Sequence, residues 1–145
     1  MGFSKQQLSR YYHMTFIEDG DVSGVISVAE KKSKIDIYMG IGGGPEGVLA
    51  AAALKCLDCQ MQTRLIYSNE SEKVRAQNLG IKDLYKKYSI NDMIKGDVIF
   101  CASAITSGDI VDGIKDLGDK YEVSTFALHK DYKILKKIKN FHPKK

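Results

Sequence analysis

The sequence predicts a single layered α/β domain over residues 1–145, with a mixed, mainly five-stranded sheet. Three observations carry that expectation. Short apolar runs alternate with segments of helical spacing over residues 14–102, the last third reads as strands, and glycines gather where the predicted strands end. Strand–helix alternation followed by strands is the pattern of an α/β layer with some antiparallel pairing. A chain of 145 residues can bury roughly 70% of its unfolded surface, so it needs no disulfide to hold a core.

Met14–Ile17 is a short apolar run, stopped by Glu18-Asp19-Gly20-Asp21, after which Val22, Val25, Ile26 and Ala29 recur at helical spacing. Ile35–Ile41 reads as a second strand and ends in Gly42-Gly43-Gly44-Pro45-Glu46-Gly47. The following Val48–Lys55 contains four consecutive alanines, among the strongest local helix signals. Pro45 suits the first helical position, where its missing N–H has no partner to lose. Met61–Tyr67 is a third strand. Glu70–Leu79, with Glu72 and Arg75 at i,i+3, is a surface helix terminated by Gly80. Asp97–Ala102 is the near-continuous apolar run of a strand covered on both faces. Val123–Leu128 and Ile134–Phe141, with a turn signal at Asp131, read as late antiparallel strands.

Composition narrows the function classes. The chain is 43% hydrophobic and 28% charged, ordinary for a soluble globular domain. Its net charge of +4 comes from a terminal segment, since seven lysines lie between Lys130 and Lys145. A nucleic-acid footprint would instead be a basic stripe across the fold, so no nucleic-acid partner is expected. No window approaches the ~18 apolar residues of a membrane span, and no apolar signal segment opens the chain, so a cytoplasmic protein without a membrane partner is expected. Cys56 and Cys59 have the spacing of a redox or zinc half-site, but no second Cys/His pair follows at finger spacing. Small buried residues at a helix end are the expected role.

Polar and glycine residues collect at three strand ends: Asp19-Gly20-Asp21, the glycine loop to Glu46, and Ser103–Asp109. Ligands of open α/β sheets bind beyond the carboxyl ends of strands, so these loops are expected to sit together. Gly42, Gly43 and Gly44 allow close approach to the main chain, and the following helix start offers unpaired N–H groups to an anion. A phosphate is the natural guest, and a ligand-free tight turn is the alternative. The Gly-Lys-Ser/Thr ending of a P-loop is missing, and the dinucleotide fingerprint is met only loosely. Glu46 would repel a phosphate in that nest unless a divalent cation lay between them, which points to metal and phosphate together; a favourable first-turn charge is its simpler role. Asp21 could cap the following helix, or Asp19 and Asp21 could accept hydrogen bonds from sugar hydroxyls or join the metal.

These residues resemble a known family. Asp19-Gly20-Asp21-Val22, the block from Gly40 through Gly-Gly-Gly-Pro-Glu-Gly-Val-Leu-Ala-Ala-Ala-Ala to Leu57, Met61-Gln62, Arg64-Leu65, Lys95–Phe100 and Ile105–Asp109 closely resemble the C-terminal half of class II fructose-1,6-bisphosphatases. The resemblance implies the lithium-sensitive sugar-phosphatase fold, a requirement for Mn²⁺ or Mg²⁺, and removal of the 1-phosphate of fructose 1,6-bisphosphate in gluconeogenesis. Some family members also take sedoheptulose 1,7-bisphosphate. Glu46 then matches a metal-ligand position, Asp19 and Asp21 match sugar-holding positions, and Gly42, Gly43 and Gly44 would take the substrate phosphate.

Such enzymes are roughly twice this length by the same resemblance, and their N-terminal lobe carries the catalytic residues and most of the metal carboxylates. The expected partner is therefore that half in a separate chain, or a second copy in a homo-oligomer. The alternative is a non-catalytic lobe that binds sugar phosphate or assembles with a partner; a nucleotide-binding unit rests on glycine spacing alone. The chain departs from the family at Asp58-Cys59, where a Gly-Gly turn is usual, at Thr63, at Ser103-Ala104, and at His129, where Arg is usual.

Overall fold

Three small side chains decide how closely the central helix can be packed. The computed structural model describes residues 12–17, 21–30 and 32–144. Helix α1 (Asp21–Ser27) lies against α2 (Gly44–Cys56), in which Ala50, Ala51 and Ala53 are buried with Leu54. Alanine is the best helix former and lets neighbouring elements approach closely. The helix therefore buries a broad face, touching α1, the short helix α4 (Ile90–Met93), and strands β3 (Ile99–Ser103) and β5 (Lys120–His129). Its last-turn Lys55 ties it to the chain before β3, with Nζ donating to the carbonyls of Ile94 at 3.0 Å and Gly96 at 2.9 Å.

The α/β class is as expected, but the strands do not form one mixed five-stranded sheet. β1 (Gln62–Arg64) pairs only with β2 (Lys87–Ser89), antiparallel. The larger sheet has four strands, all antiparallel: β5 is flanked along one edge by β3 and β4 (Lys115–Asp116) and along the other by β6 (Ile134–Pro143). The β5–β6 hairpin is the expected pair of late strands; its turn contains Lys133 at φ 49°.

Three expectations need correction. Residues 13–17 and 35–41 form no strand, although the second run alternates as a strand should. A strand needs a neighbour to take its backbone groups, and among the described residues neither segment has a ladder partner. The third strand shrinks to Gln62–Arg64, as far as β2 pairs with it. Finally, β3 is covered on one face only: Phe100 is buried while Ile99 is 65% exposed. An apolar run shows that a strand can be covered twice; the helices here lie on one side.

The core has two parts. Ile26, Ala53, Phe100, Val111, Phe126 and Leu128 join α1 and α2 to the sheet. Val25, Ala50, Ala51, Leu54 and Ile90 join the same helices to α4, with Tyr38, Met61 and Met93 packed around them.

Both longer helix ends close by the same device. After α3 (Glu70–Asn78), Gly80 at φ 94° lets its own N–H reach Gln77 O and that of Ile81 reach Ala76 O, the paired bonds of a Schellman cap. After α2, Asp58 takes the left-handed position at φ 56°, with Cys59 N–H bonded to Leu54 O. This is the place where the resembling family carries glycine, which has no Cβ to oppose that conformation. Asp58 is held there by an ion pair with Lys130. At the start of α3 the expected Glu72–Arg75 pair does not form; Glu72 accepts from Ser68 N at 2.7 Å, and Lys73 pairs with Glu70.

The carboxylates predict an acid limit to stability. Hydrogen bonds from Lys86 and from Ser89 hold the Asp92 carboxyl well below its usual range, and the His129 ring does the same for Asp97 at 2.5 Å. A carboxyl depressed in the folded state stabilises fully above the unfolded value of 3.8 and loses that contribution as pH falls below it. Urea midpoints are expected to stay level from about pH 7 to 5 and to drop below about pH 4. Asp92→Asn should make that drop shallower; an unchanged drop would remove Asp92 from the account.

Candidate functional site

The glycine loop meets the first turn of α2 without a side-chain cap. Gly43 is the N-cap, with φ −68° and ψ 156°, and no side chain bonds the first-turn amides. Pro45 stands at the second helical position, one later than expected, and still within the turn whose N–H groups have no helical partner. Glu46 sits in the same turn and folds its carboxylate back over Gly43, occupying the space that a Cβ there would need. A Cβ on Gly44 or Gly47 would instead meet nothing within 4 Å. The loop is therefore an open cradle whose one acidic side chain stands where a side chain at position 43 would otherwise be.

This cradle forms one wall of a cavity of about 490 Å³. Gly40–Gly44, Glu46 and Gly47 line it together with Met61 and residues 63–66 of the β1 segment, and with Tyr38, Val25 and Tyr88. Its lining is mostly apolar, with Glu46 and Arg64 as the two charged residues among those described. An apolar cleft with a few convergent polar groups is the usual form of a small-molecule site. In the sequence Arg64 belongs to a segment that resembles the family, but no role is marked for it, because a cation at the end of a short strand looks like any surface residue.

Of the three loops expected to sit together, the two among the described residues line different cavities. Gly108 and Asp109 line a different cavity, of about 340 Å³, beside Lys137 and Lys139 of β6. Of helix α1, Val25 lines the first cavity, and Val22 packs on the core part that also receives Ala104 and Ile110. Asp19 lies outside the described residues, as does the side chain of Asp21, whose backbone begins α1. Among the described residues, no three His, Cys, Asp or Glu side chains come together as a metal cluster. Glu46 could provide one hard oxygen ligand.

Cys56 and Cys59 behave as the buried residues of a helix end. Both are partly buried, and burial pushes both thiols above their ordinary range; the Cys56 thiol donates to Val98 O at 3.5 Å. A reactive or metal-binding pair needs thiolates, and this setting disfavours them. Cys101 is exposed on the open face of β3. Native labelling with a thiol reagent is expected to modify Cys101 quickly and the other two slowly. Fast modification of Cys56 and Cys59 would contradict the burial argument.

Comparison with known proteins assigns this arrangement to a family. The sequence model for bacterial, glpX-encoded fructose-1,6-bisphosphatase matches residues 10–142. The chain is 34% identical over 140 residues to a fructose-1,6-bisphosphatase class 2 of Haemophilus influenzae, covering 87% of this chain and 42% of that protein. It is 33% identical over 141 residues to a D-fructose 1,6-bisphosphatase class 2/sedoheptulose 1,7-bisphosphatase of Synechococcus sp. strain JA-3-3Ab, covering 88% and 41%. The chain thus spans about two-fifths of the length of these curated relatives. With the glycine cradle and Glu46 inside the matched region, the chain belongs to the family of bacterial, glpX-encoded fructose-1,6-bisphosphatases.

Proposed function

We propose that this chain is the C-terminal part of a class II fructose-1,6-bisphosphatase, a phosphoric monoester hydrolase acting on the 1-phosphate of fructose 1,6-bisphosphate. The observation that carries the reading is the shared cavity. Glu46 and the glycine cradle line one cleft at an uncapped helix start, in a chain of this family. The family is one of metal-dependent phosphatases. A hard divalent cation held by one or two protein carboxylates together with substrate phosphates is the common arrangement for Mg²⁺, so a lone Glu46 beside a phosphate-sized cradle fits such an ion, Mn²⁺ or Mg²⁺. When bound, that ion neutralises phosphoryl charge. Gly42, Gly43 and Gly44 then face the phosphate, and Asp19 and Asp21, near the start of α1, hold sugar hydroxyls. Sedoheptulose 1,7-bisphosphate, acted on by the Synechococcus relatives according to their names, is the second substrate to try. Among the described residues no helix is long and apolar enough to cross a membrane, and we place the protein in the cytoplasm.

Phosphate release from fructose 1,6-bisphosphate with Mn²⁺ tests the reading. The chain is assayed alone and with the portion of the Haemophilus relative outside the match. Release is expected from the mixture and not from the chain alone. An inert mixture, when the whole relative is active, would overturn present-day catalysis. It would favour the non-catalytic lobe, a reading that the lack of a three-ligand cluster among the described residues supports.

The same reading bears on assembly. Ile37, Met39 and Ile41 are 69%, 74% and 82% exposed, and exposed patches above a few hundred Å² tend to find partners. We expect the chain alone to run as a dimer in gel filtration with light scattering, and to exchange that contact for the complementary portion when it is supplied. A monomer at high concentration that ignores the complementary portion would refute this.

A further inference from the structure

We infer that Arg64 is the cation that grips the substrate's phosphoryl group in the cavity beside the glycine cradle. The inference rests on the bisphosphatase reading and names a residue for it. Among the described residues, Glu46 and Arg64 are the two charged residues of the lining, and they come from segments that only the fold brings together. If Glu46 faces a cation, the bound phosphate still needs compensation on its other side. A guanidinium presents a planar fork of donors that matches phosphate oxygens in pairs.

Stability does not explain this arginine. Arg64 forms no ion pair among the described residues, and the β1–β2 register sets it opposite Lys87, a like-charge pairing that weakens a strand pair. Of the charged residues lining the second cavity, Asp112 pairs with Lys115 at 3.1 Å and Lys139 with Glu122 at 2.9 Å. Arg64 therefore stands as a cation without an ion-pair partner among the described residues, at the edge of an apolar cleft that Lys87 does not line, and an anionic guest there would neutralise it.

The platform under Arg64 is firm. β2 runs directly into α4, whose first turn is closed by a capping box in which Ser89 accepts from Asp92 N–H and Asp92 accepts from Ser89 N–H. Lys86 pairs with Asp92 at 2.8 Å across the same turn. Met61, one residue before β1, packs on the core part built by α2 and α4. The strand that carries Arg64 is thus anchored at its Gln62 end, where Met61 packs on the core and Ser89, paired with Gln62, leads into α4.

Inorganic phosphate titrated into the full chain in the presence of Mg²⁺, followed by calorimetry, tests the assignment. Arg64→Ala is expected to weaken phosphate binding by about tenfold or more, the loss typical of a charge-assisted contact. Arg64→Lys should lose less, because it keeps the charge without the fork, and Lys87→Ala should bind as the wild type does. Arg64→Gln serves in place of Arg64→Ala if the latter melts below the wild type. Equal phosphate affinity in wild type and Arg64→Ala would overturn the inference, as would a wild type with no saturable phosphate binding, or a Lys87→Ala loss matching that of Arg64→Ala. None of these outcomes decides the bisphosphatase reading, which stands or falls on phosphate release by the chain with its complementary portion.

Discussion

Glu46→Gln is expected to lower the affinity of this chain for Mn²⁺ by about 10–100-fold or more, since even residues that only orient a metal ligand are worth that much. The substitution keeps the size and helix compatibility of the side chain and removes its charge. Stability without metal should change little, by about 0.3–1 kcal/mol, the value of an acidic residue in a first helical turn. A second variant reaches the same end by shape. In Gly43→Ala the new methyl group would claim the space now taken by the Glu46 carboxylate, so the acid must swing away while its charge stays. Titration calorimetry on the three proteins, with melting curves beside it, separates the alternatives. Loss of affinity in both variants supports a metal ligand held in place by a missing Cβ. Equal Mn²⁺ affinity in wild type and Glu46→Gln would defeat the metal-site reading, and a stability loss alone would leave Glu46 as a dipole charge.

Leu128→Ala should be strongly damaging to the fold, lowering stability by about 2–5 kcal/mol, the range for emptying a buried leucine site. Leu128 is 1% exposed, and it shares its core part with Phe100, Phe126, Ala53 and Ile26. That loss is a large share of the ~5–15 kcal/mol that holds a domain folded. Ile99→Ala, in the neighbouring strand and in an equally apolar run, is the control. Its side chain is 65% exposed, so the change should lie within about 0.5 kcal/mol, as for surface positions. Urea unfolding of the two variants checks both values. Comparable losses would show that the outer sheet face is covered in solution, and the open-face description of β3 would be wrong.

Residues whose fate depends on near neighbours are legible in the sequence itself. The alanine run, Pro45 and Glu46 together announce α2, and Gly80 announces the end of α3, because caps and propensities act within a turn or two. The β5–β6 hairpin is legible for the same reason. Ile35–Ile41 shows where such reasoning stops. Its alternation is correct for a strand, yet a strand exists only when a second segment takes up its hydrogen bonds, and the described chain has none for it. The apolar run at β3 announces burial without saying how many faces have cover. At the turn after α2, a departure from family glycine has the look of a defect. In the structure Asp58 holds the glycine conformation, with Lys130 as its ion-pair partner.

The order of residues along the chain is enough for the α/β class, for the helix α2 with its glycine cradle, and for the family, since all of these lie in contiguous residues whose spacing the chain preserves. Packing in three dimensions was needed to divide the sheet in two, to turn the loop after β3 toward a separate cavity, and to bring Arg64 into one cleft with Glu46. These outcomes turn on contacts between segments far apart in the chain. Such contacts are set by which apolar faces pack against the alanine face of α2, a competition among distant surfaces that no local spacing encodes.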